Sequence, residues 1–437
     1  MSALAWCALV LGAACVPNSA HTRDALSSAM KERVGVGLRD DSETSQRLPP
    51  GIELTRALSE DDAVAIALWN NAQFQSDLAT LSLSRADLVE AGMIRNPLFN
   101  FMFPLGPKQL EFTALIPIEA LWQRPRRVEA AQRDVERVAT NLVQSGLDLV
   151  RTVKLSWADA ALAEARVRVA KEGVVVRQRL EKISEARRKA GDISELELIT
   201  ARVDCRRAEQ DARRFELEEV AARERLSALL GLADGTVLQL ALAEPEPRVL
   251  AAPADEVKEA LALRPDLRAA ELAIEAAHAR TGAATASIIP PVSLIADANG
   301  AGTQGFEMGP GIQAELPILN QAQGARARAA AELERAQWNY VATAQRIALE
   351  VRQAHARYVI AQESVVSLRR DVIGSLDTAS SRAAQAFAAG EASYLFVLQT
   401  TQQQLDARAR EIELVAELRR AAAELDRGIG RKEVHAK

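Results

Sequence analysis

The chain has 437 residues, 48% of them hydrophobic, which is enough apolar content for a folded core. Its net charge of −5, with acidic and basic residues interspersed, offers no basic surface for a phosphate backbone and argues against nucleic-acid binding. Aromatic residues make up only 4%, while Ala, Leu, Glu, Arg and Gln dominate. This composition favours long helices and coiled coils.

The N-terminus has the pattern of an export signal. The apolar run from Ala3 to Val16 is too short to span a membrane and is followed by Pro17. Within it, the segment Leu11 to Cys15 is similar to a bacterial lipoprotein box, in which Cys15 would be acylated. An ordinary cleaved signal is the alternative, because the leucine stands one place early and no Lys or Arg precedes the run. Since no later segment approaches twenty consecutive apolar residues, we expect the mature chain to cross a membrane only as β-structure.

An internal repeat divides the rest of the chain into two similar halves. Three pairs of segments match, at offsets of 193, 200 and 199 residues: Arg95-Asn96-Pro97 with Ile288-Ile289-Pro290, Pro117-Ile118 with Pro317-Ile318, and Ala190-Gly191 with Ala389-Gly390. We therefore divide the chain into a signal segment 1–15, an N-terminal linker 16–58, a first repeat 59–231, an equatorial linker 232–254, a second repeat 255–428 and a tail 429–437.

Each half is predicted to run helix, β-hairpin, long helix, turn and shorter helix. The segment Ser59 to Asp62 resembles a capping box and opens a helix over 60–94, whose repeat is 255–288. After the hairpin, apolar residues alternate at spacings of three and four, which is typical of a helix packed along a neighbour. These residues are Val128, Ala131, Val135, Val138 and Leu142. Long helices ending near 189 and 388, and shorter ones near 194–230 and 394–426, predict an antiparallel helical barrel with coiled-coil packing.

The hairpins, 97–118 and 290–318, alternate apolar and polar residues with a period of two. This gives one face for lipid and one for water, as a membrane barrel requires. The polar residues expected to face the barrel lumen are Asn100, Glu111, Thr113, Asp297, Glu307, Gln313 and Glu315. The alternative is a pair of hairpins packed on a soluble core. Because four strands alone would leave unsatisfied edges in lipid, we expect several chains to pool their strands into one barrel. The predicted fold is mainly α with a small β part.

This plan resembles the outer-membrane efflux-channel family typified by TolC, and particularly its heavy-metal-efflux (CzcC- and CusC-like) branch. The resemblance runs from about Leu54 to Gly428 and rests on the duplicated plan, the segment from Ala262 to Leu267, the two Pro-Ile segments and the two glycine turns. It implies a homotrimer in the outer membrane of a Gram-negative bacterium, with a twelve-stranded barrel, four strands from each chain, and a periplasmic helical barrel. It further implies docking onto a periplasmic membrane-fusion adaptor and an inner-membrane pump, for which a resistance-nodulation-division type is expected. No cofactor is implied.

The resemblance assigns roles to the two helix-to-helix turns. Residues implied to contact the adaptor are Arg188, Gly191 and Ser194 in the first turn, and Phe387, Gly390 and Ser393 in the second. Glycine accepts the left-handed conformation there, and serine can cap the next helix. Residues implied to line the periplasmic aperture are Glu197, Thr200, Phe396 and Gln399. Family members often carry acids at these four places, but here only Glu197 is acidic. The second half could therefore narrow the aperture sterically with Phe396, or Phe396 could belong to an ordinary helical seam.

Other functions have less support in the sequence. His278, His355 and His435 lack neighbours at the spacings of metal ligands or a catalytic triad, so we expect no enzyme and no metal site. We interpret Cys205 as an ordinary helix residue and not as a reactive thiol. The competing interpretations are an exported coiled-coil scaffold or adhesion protein, and an outer-membrane channel for type I protein secretion. Neither a His-rich tract nor a Met cluster indicates a substrate.

Overall fold

A computed structural model describes residues 17–39, 48–103, 110–232, 236, 238–288, 291–300 and 306–430. The predicted signal segment with Cys15, and His435 in the tail, lie outside the described residues. The first half contains α1 (Arg23–Val34), α2 (Glu60–Asn70), α3 (Ala72–Gly92), β1 (Leu98–Met102), β2 (Glu111–Pro117), α4 (Ala120–Ala190) and α5 (Glu195–Leu229). The second contains α6 (Pro253–Leu263), α7 (Pro265–Ala286), β3 (Val292–Gly300), β4 (Phe306–Ala314), α8 (Gln323–Ser367), a π-helical turn (Leu368–Ile373), α9 (Gly374–Ala389) and α10 (Tyr394–Ile429). The chain is mainly helical with a small sheet, as the sequence predicts.

The helix that leads into each hairpin is broken in two, so the single helices predicted over 60–94 and 255–288 are wrong. Asn71 leaves the helical conformation with ψ at 114°, and its side-chain oxygen accepts a hydrogen bond of 3.0 Å from the Phe74 amide. In the second half Arg264 has ψ at 127°, and Pro265 begins α7. Proline disfavours a helical residue before it but suits the first position of a helix. Both breaks fall at the same repeat position, because Asn71 and Arg264 are 193 residues apart.

The two hairpins form one antiparallel sheet with the strand order β1-β2-β3-β4. Strands β2 and β3 join the halves, with Glu111 opposite Asn299 at one end and Pro117 opposite Ser293 at the other. The Ile118 amide donates to the Val292 carbonyl oxygen at 2.9 Å, which extends this pairing beyond the strand. The outer strands β1 and β4 each pair with only one neighbour among the described strands.

The chain divides into two compact units. One unit contains residues 76–144 and 264–346, which include the sheet and the helix segments next to it. The other contains residues 27–75, 145–263 and 347–437 and includes both helix-to-helix turns. None of the helices in the described part of the chain is long and apolar enough to cross a membrane.

Helices α8 and α10 pack along a regular seam in the second unit. The buried residues of this seam are Ala354, Tyr358, Ala361 and Val365 on α8, and Leu414, Leu418, Ala421 and Leu425 on α10. Each set is spaced by four, three and four residues, the repeat that coiled coils use to keep one stripe facing a partner. This packing agrees with the coiled-coil pattern expected from the sequence.

Gly231, just after α5, is required by both its conformation and its surroundings. Its φ is +64°, and a methyl group there would lie 2.5 Å from the Asn70 carbonyl oxygen. We expect Gly231→Ala to lower the free energy of unfolding by about 1–3 kcal/mol, because strain and a backbone clash add together. The thermal midpoint of the purified protein measures this effect.

Gly374→Ala is the matched control for that substitution. Gly374 begins α9 with helical dihedral angles, and nothing lies within 4 Å of its added methyl group. This change should raise stability by about 0.5–1 kcal/mol, because alanine favours a helix more than glycine does. A Gly231→Ala protein as stable as Gly374→Ala would contradict the explanation.

Candidate functional site

The sheet has one polar face. Antiparallel partners point to the same side of a sheet, so the register sorts the side chains directly. Asn100, Thr113 and Asp297 form one row across three strands, and Glu111, Asn299 and Glu307 form the next. Gln313 shares this face opposite Ser293. Six of the seven predicted lumen residues therefore lie on one face. The exception is Glu315, which lies one residue beyond the end of β4.

Two hydrogen bonds orient the Asp297 side chain on the polar face. The Thr113 hydroxyl donates to Asp297 Oδ1 at 3.0 Å, and the Asn299 amide donates to Asp297 Oδ2 at 3.1 Å. These contacts hold the Asp297 carboxylate in one orientation. Leu98, Met102, Leu115 and Ile295 also lie on this face, so it is less polar than the predicted residues alone suggest.

The opposite face of the sheet is apolar and exposed. It carries Phe99, Phe101, Phe112, Ala114, Ile116, Leu294, Ala296, Met308 and Ile312. The rings of Phe101 and Phe112 meet edge to face, with centroids 4.4 Å apart. Phe99 is 73% exposed and Met308 79%, so this face has no apolar partner within the described chain that could keep these side chains from water. A face of this kind suits an apolar surrounding.

The first helix-to-helix turn follows α4. Gly191 has φ at +87°, the left-handed conformation that glycine adopts without strain. Ser194 caps α5: its hydroxyl accepts from the Glu197 amide at 3.2 Å, and the Glu197 carboxylate accepts from the Ser194 amide at 2.8 Å. This capping box accounts for Glu197 structurally. Thr200 is exposed, and its hydroxyl donates to the Leu196 carbonyl oxygen at 2.9 Å.

The second turn follows α9 and repeats the geometry of the first. Gly390 has φ at +84°, and the Ser393 hydroxyl accepts from the Phe396 amide at 3.4 Å. Phe396 is 53% exposed, and Gln399 is exposed as well. Phe387, however, is fully buried in a cluster with Leu180, Ala201, Ala383, Tyr394 and Val397. Its predicted role as an adaptor contact is therefore wrong for the side chain, which packs inside the turn instead of presenting a surface.

Two side chains connect the turns, and the sequence does not reveal either connection. Arg187, at the end of α4, lies over the Phe387 ring at 4.8 Å and donates to the carbonyl oxygens of Phe387 and Ala392 at 3.3 and 3.4 Å. The Tyr394 hydroxyl donates to Asp204 Oδ2 at 3.1 Å. Burial, and then the Asp204 carboxylate, raise the pKa of Tyr394, so the hydroxyl stays protonated as a donor.

Cys205 lies next to this connection and is fully buried. Burial, followed by the nearby Glu181 carboxylate, raises the pKa of its thiol to about 11. A protonated, buried thiol is a poor nucleophile. The environment of Cys205 is thus that of a packing residue.

A buried cluster of charges lies in the same unit. Asp426 accepts from Lys154 Nζ at 2.9 Å and from Arg248 Nη1 at 2.7 Å, and Glu60 lies 3.8 Å from Lys154 Nζ. Burial alone would raise the pKa of Asp426, but the two cations together hold it below its ordinary value. Likewise burial lowers the pKa of Lys154, yet Asp426 and Glu60 outweigh it and raise that pKa. The cluster joins α2, α4, α10 and the linker that contains Arg248.

His355 also has a partner that its sequence neighbours do not suggest. Its Nδ1 lies 2.8 Å from Glu256 Oε2, which is buried on α6. Within the described ranges, no group of three or more His, Cys, Asp or Glu side chains could hold a metal ion.

Residues 257–431 match the family model described as Outer membrane efflux protein. The chain carries an outer membrane efflux protein domain. The cobalt-zinc-cadmium resistance protein CzcC of Cupriavidus metallidurans is 25% identical to the chain over 385 residues, which are 87% of this chain and 91% of CzcC. The efflux family resemblance inferred from the sequence is confirmed.

Solved structures show the same fold over most of the chain. The structure of CusC matches with a TM-score of 0.72 and 21% identity, covering 85% of this chain and 91% of that one. VceC from Vibrio cholerae matches with a TM-score of 0.71 and 17% identity, covering 85% and 96%. The shared fold therefore extends well beyond the segment that the family model matches.

Proposed function

We propose that this protein is the outer-membrane channel subunit of a tripartite efflux system. It passively conducts substrates that an inner-membrane pump and a periplasmic adaptor deliver. The observation that carries the proposal is the efflux domain in the second half, together with a relative that covers 87% of the chain. The two-faced sheet gives it a physical basis, because one polar and one apolar face are what a water-filled barrel in lipid needs.

The sheet also supports assembly into a trimer. Strands β1 and β4 each have one edge without a partner in the described sheet, and unpaired backbone groups are costly in lipid. Three copies would supply twelve strands and close the barrel. The polar face would then line the lumen with Glu111, Asp297 and Glu307 from each chain, and the helices would extend into the periplasm.

The two helix-to-helix turns are the proposed docking surface for the adaptor. Arg188, Gly191, Ser194, Gly390 and Ser393 are exposed there, whereas Phe387 supports the turn from inside. We expect a pump of the resistance-nodulation-division type behind the adaptor. The name of CzcC makes divalent metal cations the first substrates to test.

Fractionation and conductance test this function. The protein should sediment with the outer membrane, require detergent for extraction, run as a trimer and form conducting pores in planar bilayers. A chain that stays soluble and monomeric without detergent would fit a coiled-coil scaffold and exclude the channel. If cells export an unfolded protein and this export requires the channel, the result would instead support type I secretion.

We infer that the aperture is narrowed sterically by Phe396. Its ring is half exposed on the first turn of α10, while the Glu197 carboxylate is held by the N-terminus of its own helix. Phe396→Ala should therefore raise single-channel conductance. Glu197→Gln should change neither conductance nor ion selectivity, because glutamine also completes a capping box. A loss of cation preference in Glu197→Gln, with Phe396→Ala unchanged, would show that the aperture is electrostatic.

Lipidation of Cys15 is part of the proposal. Mass spectrometry of the mature N-terminus should find an acylated cysteine as the first residue, and Cys15→Ala should abolish the acyl mass. An unmodified N-terminus beyond Cys15 would indicate an ordinary cleaved signal.

A further inference from the structure

The base of the first hairpin contains polar atoms that the fold leaves without partners. Glu119 follows β2 by two residues and is only 6% exposed, yet its Oε2 accepts no hydrogen bond within the described chain. One helical turn further on, the buried indole N–H of Trp122 likewise has no acceptor among the residues that the structure describes. Leaving a buried polar atom unpaired is costly, so two such atoms within one helical turn call for an explanation.

A cation lies beside the Glu119 carboxylate at the same end of the hairpin. Arg95 lies three residues before β1, and its guanidinium is 4.0 Å from Glu119 Oε1. Its side chain is 75% exposed, so it has room to bind a further group. The site therefore offers a guanidinium and an indole N–H, which are donors for an anion, and a free carboxylate oxygen, which is an acceptor for a cation.

Exposed apolar residues lie close to the site in the chain, together with the cations Arg124, Arg126 and Arg127. Ile94, Leu98, Ile116 and Leu121 lie within a few residues of it in the chain, and Leu121 is 77% exposed. Apolar side chains beside donors and acceptors, with a tryptophan at the boundary, are typical of the zone where hydrocarbon meets headgroups. A ligand that carries both an anion and a cation next to acyl chains fits this combination.

The second half of the chain lacks the same groups. Repeat offsets of 193 and 200 residues place Ile288 where Arg95 stands, Leu319 where Glu119 stands and Ala322 where Trp122 stands. Leu319 is 91% exposed. Because the second hairpin folds without a buried carboxylate and indole at its base, the fold itself does not require them in the first.

We propose that the base of the first hairpin binds the headgroup of an aminophospholipid. Arg95 and the Trp122 N–H hold the phosphate, and Glu119 Oε2 accepts a hydrogen bond from the primary ammonium. The proposal rests on the proposed function, since it places this end of the sheet at the membrane surface. It assigns one headgroup site to each chain.

Lipid titration of the delipidated, detergent-solubilised protein tests the site. The probes are dioleoyl phosphatidylethanolamine, phosphatidylcholine, which has no ammonium N–H, phosphatidylglycerol, which has no ammonium, and inorganic phosphate. Native mass spectrometry and the thermal midpoint report binding. We expect phosphatidylethanolamine to bind about tenfold more tightly than phosphatidylcholine, which is the factor that one charge-assisted hydrogen bond supplies.

Two variants and a control separate the roles of the groups. Glu119→Gln should bring phosphatidylethanolamine to parity with phosphatidylcholine, and Trp122→Phe should weaken phosphatidylethanolamine and phosphatidylglycerol alike. Glu129→Gln, an exposed carboxylate on the same helix, should change neither. Glu119→Gln should also leave conductance unchanged, which distinguishes lipid binding from channel assembly.

Several results would overturn the proposal. Equal binding of phosphatidylethanolamine and phosphatidylcholine by a wild-type protein that conducts would reject this site and leave the channel intact. Inorganic phosphate that competes at equal concentration would mean that the site takes a free anion. A wild-type protein that neither enters bilayers nor conducts would reject the channel and this site together.

Discussion

Asp426→Asn is expected to lower the free energy of unfolding by about 3–5 kcal/mol, the usual cost of removing one partner from a buried ion pair. The Asp426 carboxylate accepts from Lys154 at 2.9 Å and from Arg248 at 2.7 Å, and all three side chains are largely buried. Without it, two cations remain in a largely buried site, with Glu60 and Asp61 as the nearby anions. The thermal midpoint of the detergent-solubilised protein should fall accordingly.

An exposed pair provides the control for Asp426→Asn. Asp159 accepts from Arg420 at 2.6 Å, but its side chain is 55% exposed, so Asp159→Asn should cost no more than about 1 kcal/mol. Equal thermal midpoints for Asp426→Asn and Asp159→Asn would show that burial of the ion pair does not determine the loss of stability.

The pH dependence of this effect follows from the direction of the pKa shift. Because the folded pKa of Asp426 is lowered, its contribution to stability is present above the ordinary pKa, about 4, and is lost as the pH falls through the folded value. The pKa of Lys154 is raised, so its contribution is lost only as the pH rises above its ordinary value. The difference between wild type and Asp426→Asn should therefore be constant near neutral pH and shrink in acid.

The second large effect is expected at the helix-to-helix turns. The double variant Arg187→Gln with Tyr394→Phe removes the hydrogen bonds from Arg187 to the second turn and from Tyr394 to Asp204. Each loss should weaken the connection by about 1–3 kcal/mol. Since about 1.4 kcal/mol is a factor of ten in an equilibrium constant, a widened form of the turns should become at least tenfold more populated. Single-channel conductance should rise, with faster amide hydrogen exchange in both turns.

Arg188→Gln is the matched control at the turns. Arg188 is the neighbour of Arg187 in the chain but is exposed, so its loss should leave conductance unchanged and weaken adaptor binding. If the double variant has the conductance and the amide hydrogen exchange of the wild type, the contacts of Arg187 and Tyr394 do not restrain the turns.

The features predictable from the sequence are those fixed by short-range patterns. Alternation with a period of two placed six polar residues on one face of the sheet, because strand geometry leaves no other choice. The glycine turns followed from the left-handed conformation that glycine accepts. The helix break at Pro265 had a signal in the sequence as well, since the residue before a proline avoids the helical conformation.

What could not be predicted depends on residues that are remote in the chain. Lys154 and Asp426 are 272 residues apart, and Tyr394 and Asp204 are 190 apart, so no local pattern announces either contact. The orientation of the Phe387 side chain also depends on residues that are remote in the chain. The family resemblance implies an adaptor contact at this position, but whether the side chain points outward depends on Leu180 and Val397, which other helices supply.

The paired helix breaks at Asn71 and Arg264 show how closely the two halves repeat one another. Each half contributes one hairpin, so six halves supply as many strands as three copies of the chain. The halves nevertheless differ at the hairpin base, where the first has a carboxylate and an indole and the second has leucine and alanine. In the proposed trimer, two kinds of wall segment would therefore alternate around the ring.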